Sequence, residues 1–207
     1  VRPDLTAIGA VLLDMDGTLV DSDASVERAW TIWAKEYDVD LGAVLAVAHG
    51  SPAARTIRRL LPALDDEEVA AATRRQHALQ YEDLADVTAA PGAHPLLATL
   101  ARLGLPWAVV TSADGRLARA RLRAAAIEAP LLLTIDDVRA GKPDPEGYLE
   151  AARRLGVAPS ACLVVEDSEP GLAAGRAAGM PVAALRGLAG DLSLSDLNRL
   201  ARLLQRS

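Results

Sequence analysis

Phenylalanine is absent from the 207 residues, aromatic residues amount to 3%, and cysteine occurs once. Without aromatics any core must be aliphatic, built from Leu, Val and Ala, and at 51% apolar residues there is material for a sizeable one. Cys162 sits in the apolar run Ala161-Cys162-Leu163-Val164-Val165, where a thiol behaves as a small hydrophobe rather than a nucleophile or half of a disulfide. A reducing cytoplasm is therefore expected. Positive charge is also short. Against 28 Asp and Glu stand 22 Lys and Arg, a formal net charge of −6 with no basic block. A nucleic-acid partner is disfavoured, because a phosphate backbone demands a basic face. No uncharged apolar run approaches the ~20 residues of a membrane span, and Val1-Arg2-Pro3-Asp4 lacks a charged-then-apolar signal pattern. No membrane association is expected. The length fits one core with a large insertion better than two equal halves.

What is present is organised by short apolar runs: Ile8 to Leu13, Trp107 to Val110, Leu131 to Leu133, Leu163 to Val165 and Val182 to Leu185. Each ends in polar or small residues, as strands buried on both faces do. Between them Leu96-Leu97-Leu100-Leu103, Leu117-Ala120-Leu122 and Leu149-Ala152-Leu155 have helical spacing, and Gly104, Gly156 and Gly179 stand where helices end. Alternating strands and helices imply an α/β fold with a doubly wound parallel sheet, Rossmann-like in its winding. The segment after Leu185 is abbreviated and offers little for a sixth strand.

From Asp21 to Ala90 the alternation stops. Val26-Ala29-Trp30-Trp33, Leu41-Val44-Leu45, Ile57-Leu60-Leu61 and Val69 to Leu84 are all helical in spacing, with no strand-like run. This predicts a helical domain over 21–90, inserted after the first strand, with residues 1–20 and 91–207 forming the core domain. Trp30 and Trp33, one turn apart, read as packing residues of that bundle. The stretch Leu194 to Leu204 reads as a closing amphipathic helix with Ser195 as its N-cap.

In such sheets ligands bind beyond the carboxyl ends of the strands, which here carry Asp14, Thr111, Asp136 and Glu166-Asp167. Asp14 and Asp16 can converge on one small site, where two carboxylates need a cation or a shared proton. One can attack phosphorus while its neighbour protonates the departing oxygen and then activates water. Asp14-Met15-Asp16-Gly17-Thr18 is also compatible with an ordinary Asx turn, whereas the remaining ligands of a calcium loop do not follow it. Thr111-Ser112 offers hydroxyl and backbone donors to a phosphate, or a helix N-cap. Glu166-Asp167, with Asp14, supplies hard oxygen ligands suited to Mg²⁺. Lys142 is one of two lysines, the other being Lys35. In Gly141-Lys142-Pro143-Asp144-Pro145 its compact ammonium is either a phosphate ligand or a surface charge.

These four segments resemble, in order, the motifs of the haloacid dehalogenase superfamily in its capped phosphatase branch. Asp14 to Ser22 matches the first motif, Val109-Val110-Thr111-Ser112 the second, Gly141 to Pro145 the third and Val164-Val165-Glu166-Asp167-Ser168 the fourth. The resemblance implies Asp14 as nucleophile, and Asp16 as general acid and base that also binds Mg²⁺ through its backbone carbonyl. It further implies Thr111 and Lys142 on the phosphate, with Asp167 and Glu166 on the metal side. Dehalogenation is disfavoured because Asp16 is present. Pro106 to Ser112, His49-Gly50 and Asp136 to Leu149 are similar to sugar and polyol phosphatases, those for 2-deoxyglucose 6-phosphate and glycerol phosphate included. His49 and Arg55 are then candidate substrate contacts, although Ser51-Pro52 follows His49-Gly50 where those relatives often have Arg. The expected partner is a small phosphorylated metabolite, and the expected state a monomer. A sugar phosphomutase of the β-phosphoglucomutase type is the alternative, but its histidine and lysine near the cap hinge are missing from Ala24 to Arg28. A catalytically retired binding module is a third, disfavoured by the intact charged cluster.

Overall fold

Four consecutive apolar residues, Ala10-Val11-Leu12-Leu13, can form a strand only if both faces are covered. In the computed structural model, which describes residues 3–48, 51–82 and 84–206, they are β1 (Ala10–Leu13), and all four are fully buried. The chain continues through β2 (Val20–Asp21) into four helices, α1 (Asp23–Glu36), α2 (Leu41–Ala48), α3 (Ala53–Leu60) and α4 (Asp66–Glu82). It returns through β3 (Thr88–Ala89) to α5 (Ala93–Leu103), β4 (Trp107–Val110), α6 (Gly115–Ala124) and β5 (Leu132–Leu133). Then follow α7 (Glu146–Leu155), β6 (Cys162–Glu166), α8 (Glu169–Ala177), β7 (Val182–Ala184), β8 (Leu192–Ser193) and α9 (Leu197–Leu204).

The main sheet has the order β5-β4-β1-β6-β7-β8 and every pairing in it is parallel. Period-two alternation divides its side chains between two layers. Val11, Leu13, Val109, Leu163 and Val165 pack with Leu96 and Leu100 of α5, Leu122 of α6 and Leu200 of α9. Ala10, Leu12, Val110 and Val164 pack with Tyr148 and Ala151 of α7 and Leu172 of α8. Truncating a central leucine such as Leu13 or Leu163 to Ala should cost about 2–5 kcal/mol, the usual range for a core leucine. Gly104, Gly156 and Gly179 end their helices at positive φ of 65°, 69° and 72°. The helices between β2 and β3 have a separate apolar cluster that includes Trp33, Val44, Ile57 and Val69. Trp30 and Trp33 are both buried and meet edge to face at 5.3 Å, and Trp33 Nε1 donates to the Ala72 carbonyl at 3.1 Å.

Three local expectations are corrected. A sixth strand exists, because β8 pairs with β7 through only Ala183↔Leu192 and Ala184↔Ser193, a length too short to leave a periodic signal. The interval between 21 and 90 is not free of strand: Val20 and Asp21 pair antiparallel with Ala89 and Thr88, a two-stranded ribbon at the root of the helices. The last helix is capped by Asp196, whose side chain accepts from Arg199 N, and not by Ser195. Among the described residues no helix is long and apolar enough to cross a membrane.

Candidate active site

Because β1 lies between β4 and β6, the residues that follow these three strands meet at one edge of the sheet. Asp14 extends the ladder by one bond, its N–H donating to Val165 O at 3.0 Å. The next turn is tight: the Met15 carbonyl accepts from the amides of Leu19 and Val20, each at 2.9 Å. Gly17 sits at φ +80°, and a Cβ there would fall 1.9 Å from Asp167 Oδ2. Glycine is required twice over, by the backbone angle and by the carboxylate beside it.

Lys142 arrives from the loop before α7 and is nearly buried at 5% exposure. Its ammonium donates to Asp14 Oδ1, to Glu166 Oε1 at 2.6 Å and to the Val110 carbonyl at 2.8 Å. All three of its donors are used. Burial alone would lower its proton affinity, but Asp14 and Glu166 outweigh that and hold it above its ordinary value. Asp14 is pushed well above the usual carboxylate range, first by burial and then by Glu166. Crowding adds to burial: three carboxylates, Asp14, Glu166 and Asp167, have oxygens within 4.8 Å of one another.

Glu166 has no exposed surface, and protein donors fill both of its oxygens. Oε1 accepts from Lys142 and from the Tyr148 hydroxyl at 2.7 Å. Oε2 accepts from Ser168 Oγ at 3.0 Å, Asp167 N at 3.2 Å and Ser168 N at 3.3 Å. The close approach of α8 that makes this possible depends on Gly171, where a Cβ would lie 1.8 Å from Glu166 Oε1. Asp167, also buried, receives Arg186 Nε on Oδ2 at 2.7 Å and lies 3.4 Å from Thr18 Oγ1.

Asp16 turns away from this cluster. Ser22 Oγ donates to its Oδ1 at 2.6 Å, and Arg121 of α6 reaches its Oδ2 at 2.8 Å. The same guanidinium donates from Nη2 to Gln80 of α4 at 2.7 Å. Arg186, besides holding Asp167, grips Asp23 at the start of α1 with both terminal nitrogens at 2.8 Å. These two arginines tie the sheet edge to the inserted helices.

Between the sheet edge and those helices lies a cavity of 290 Å³, lined by Asp14, Asp16, Thr111 and Ser112 on one side and by Asp23, Glu27, Trp30 and Gln80 on the other. Thr111 Oγ1 accepts from Ala113 N at 3.1 Å, and the cap of α6 is Asp114, which accepts from Arg116 and Leu117. Arg55 is exposed and donates to the Lys142 carbonyl at 3.4 Å, which puts it against the lysine loop; it is not among the described residues lining the cavity. His49, the other candidate substrate contact, lies outside the described residues. Arg121, Arg186, Ser22, Gln80 and Tyr148 were not singled out from the sequence. Arg121 left one signal there. It shares a helical face with Leu117, Ala118 and Leu122, so a charge interrupts an apolar stripe, and it is only 2% exposed.

A family model described as haloacid dehalogenase-like hydrolase matches residues 8–179. Over 188 residues the chain is 40% identical to hexitol phosphatase A of Escherichia coli K12, covering 90% of this chain and 87% of that protein. It is 33% identical over 186 residues to 2-deoxyglucose-6-phosphate phosphatase 1 of Saccharomyces cerevisiae, covering 81% and 76%. Among solved structures, the fold is similar to β-phosphoglucomutase from Clostridium difficile, with a TM-score of 0.85, 20% identity and 96% of each chain covered.

Proposed function

We propose, since the chain belongs to the haloacid dehalogenase-like hydrolases, that it hydrolyses a small sugar or polyol phosphate monoester through an aspartyl-phosphate. The observation that carries this reading is the meeting of Asp14, Lys142, Glu166 and Asp167 beneath a cavity that Asp16 also lines. A carboxylate oxygen of Asp14 attacks phosphorus, and the bond to the leaving oxygen breaks as Asp16 delivers a proton to it. Asp16 then takes a proton from water, the water oxygen attacks phosphorus, and inorganic phosphate leaves with Asp14 restored. The Thr111-Ser112 segment holds the phosphate oxygens, and Lys142, kept in place by Glu166 and the Val110 carbonyl, exchanges its bond to Asp14 for one to a phosphate oxygen as Asp14 attacks.

The donor set is all hard oxygen, buried and overcrowded with negative charge, and suits a divalent cation. We assign that ion as Mg²⁺, held by Asp14, the Asp16 backbone carbonyl and Asp167. Glu166, with its oxygens filled by protein donors, acts mainly through Lys142. When bound, the ion offsets the repulsion between Asp14 and an incoming phosphate dianion. Residues 21–90 serve as a cap that encloses the leaving group, and 1–20 with 91–207 as the catalytic core. The single buried cysteine fits a cytoplasmic setting, and we take the working unit to be a monomer.

The test is phosphate release across sugar, polyol and nucleotide monophosphates, with p-nitrophenyl phosphate as a generic substrate and excess chelator as control. Sugar or polyol phosphates should lead the panel, and activity should vanish with chelator and return with Mg²⁺. Release from none of them, p-nitrophenyl phosphate included, would overturn the reading. Isomerisation of a hexose 1-phosphate without phosphate release would establish a mutase instead.

A further inference from the structure

Helix α1 turns Asp23, Val26, Glu27 and Trp30 toward the cavity, a spacing of three, four and seven residues that lies on one helical face. On the phosphatase reading this wall meets the leaving group, because the phosphate end belongs at the opposite side, with Asp14, Thr111 and Ser112. Its chemistry is lopsided. The cavity lining contains four carboxylates, Asp14, Asp16, Asp23 and Glu27, against two guanidinium groups, Arg121 and Arg186. Both cations are already matched: Arg121 to Asp16, Arg186 to Asp23 and to Asp167. The ammonium of Lys142 is likewise held by Asp14 and Glu166. His77 also lines the cavity, but burial lowers its proton affinity against the pull of Asp114 and Asp136, so it adds no positive charge near neutral pH.

Glu27 stands apart from this matched set. It is exposed at the cavity wall, and its carboxylate has no hydrogen bond or ion pair among the described residues. A free carboxylate accepts hydroxyl hydrogens strongly, as the hydroxyl-rich chain of a sugar or polyol would require. A second anionic group on the substrate would meet an unpaired negative charge there and, among the described residues lining the cavity, no uncommitted cation. Resting on the phosphatase reading above, we propose that Glu27 on α1 is a specificity-determining residue that admits neutral, hydroxyl-rich leaving groups and rejects those carrying a carboxylate or a second phosphate.

Two substrates of equal length isolate the effect. Sorbitol 6-phosphate and 6-phosphogluconate differ only in a terminal CH₂OH or carboxylate. The quantity to measure is the ratio of their kcat/KM values within each protein, which cancels any difference in active fraction. The wild-type chain with Mg²⁺ should favour sorbitol 6-phosphate by about 100-fold or more, the scale of one close like-charge contact. Glu27→Gln should shrink the ratio by about tenfold, and Glu27→Lys should bring it near unity or invert it. The wild-type preference should also narrow as ionic strength rises, since the contact is exposed. A wild-type ratio near unity, or the same ratio in Glu27→Lys as in wild type, overturns the proposal. Failure to release phosphate even from p-nitrophenyl phosphate would instead remove the phosphatase reading on which it rests.

Discussion

The sheet edge beneath the cavity and the helical wall above it are both rich in charge, but they hold that charge in opposite ways. At the sheet edge, Glu166 and Tyr148 are wholly buried and every donor of Lys142 is used. On the wall, Asp23 and Glu27 are exposed, and among the described residues Asp23 is held by one side chain, Arg186, itself partly exposed. Burial strengthens each interaction and penalises each unpaired group, so the sheet edge is fixed in geometry and costly to disturb. Solvent screens the wall, so its residues can change with little cost to the fold. On the proposed function chemistry belongs to the first region and selectivity to the second, and Arg121 and Arg186 span the gap between them.

The comparison is sharpened most by Asp14→Asn. The amide is nearly isosteric but a poor nucleophile, so turnover should fall by about 10⁴-fold or more. The urea midpoint should not fall with it, because burial and Glu166 already oppose the charge that the amide removes. Phosphate release and equilibrium unfolding measured on one preparation check the pair, and near-wild-type hydrolysis would rule out Asp14 as the nucleophile.

Lys142→Ala should cost both function and fold. Loss of a charge stabiliser at phosphorus lowers kcat by about 10²–10³-fold, and leaving Asp14 and Glu166 buried without their cation costs about 3–5 kcal/mol. Lys142→Arg keeps the charge but cannot fit a planar fork where an ammonium meets three acceptors, so it should also be impaired. Normal turnover and stability in both variants would show that the sheet edge is not pinned by this residue.

Arg121→Gln tests the link between the regions. It frees the Asp16 carboxylate from one of its two partners and weakens the tie to Gln80. Alkyl phosphates, whose leaving oxygen needs a proton, should slow by on the order of tenfold. p-Nitrophenyl phosphate should slow less, because its phenolate departs without that proton. Equal losses on the two substrates would mean that Arg121 serves packing alone.

The smallest expected effect is a matter of pH. Burial holds His77 below its ordinary value of 6.5 although Asp114 and Asp136 pull the other way. Below that pH the unfolded chain takes up a proton that the folded protein resists, so stability attributable to this group is complete above 6.5 and declines as pH falls. His77→Gln should flatten the fall in urea midpoint between about pH 7 and pH 5. An unchanged pH dependence would remove His77 from the account.

How much of this was legible in the chain depends on how local the signal was. The apolar runs Ile8 to Leu13, Trp107 to Val110 and Leu163 to Val165 announce buried strands by themselves, because a strand covered on both faces has no polar side to show. A parallel sheet sends the ends of its strands to one edge, so the meeting of Asp14, Thr111 and Glu166-Asp167 follows from their position after those runs. Lys142 was conspicuous as a rare residue, but its grip on Asp14 spans 128 positions.

The rest depended on partners that no local pattern encodes. Strand β8 and the ribbon of Val20–Asp21 with Thr88–Ala89 are two residues long, and exist because a neighbouring strand completes their hydrogen bonds. Arg121 meets Gln80 across 41 positions, and Arg186 meets Asp23 across 163. Glu166 resembled a free ligand in sequence, yet packing surrounds it with donors from α7 and from the turn into α8. The sequence by itself therefore determined the sheet and the edge on which chemistry is assembled, since both follow from periodicity and chain direction. Which charges there are matched and which, like Glu27, face the cavity unmatched was decided only in three dimensions, because pairing depends on distances between segments far apart in the chain.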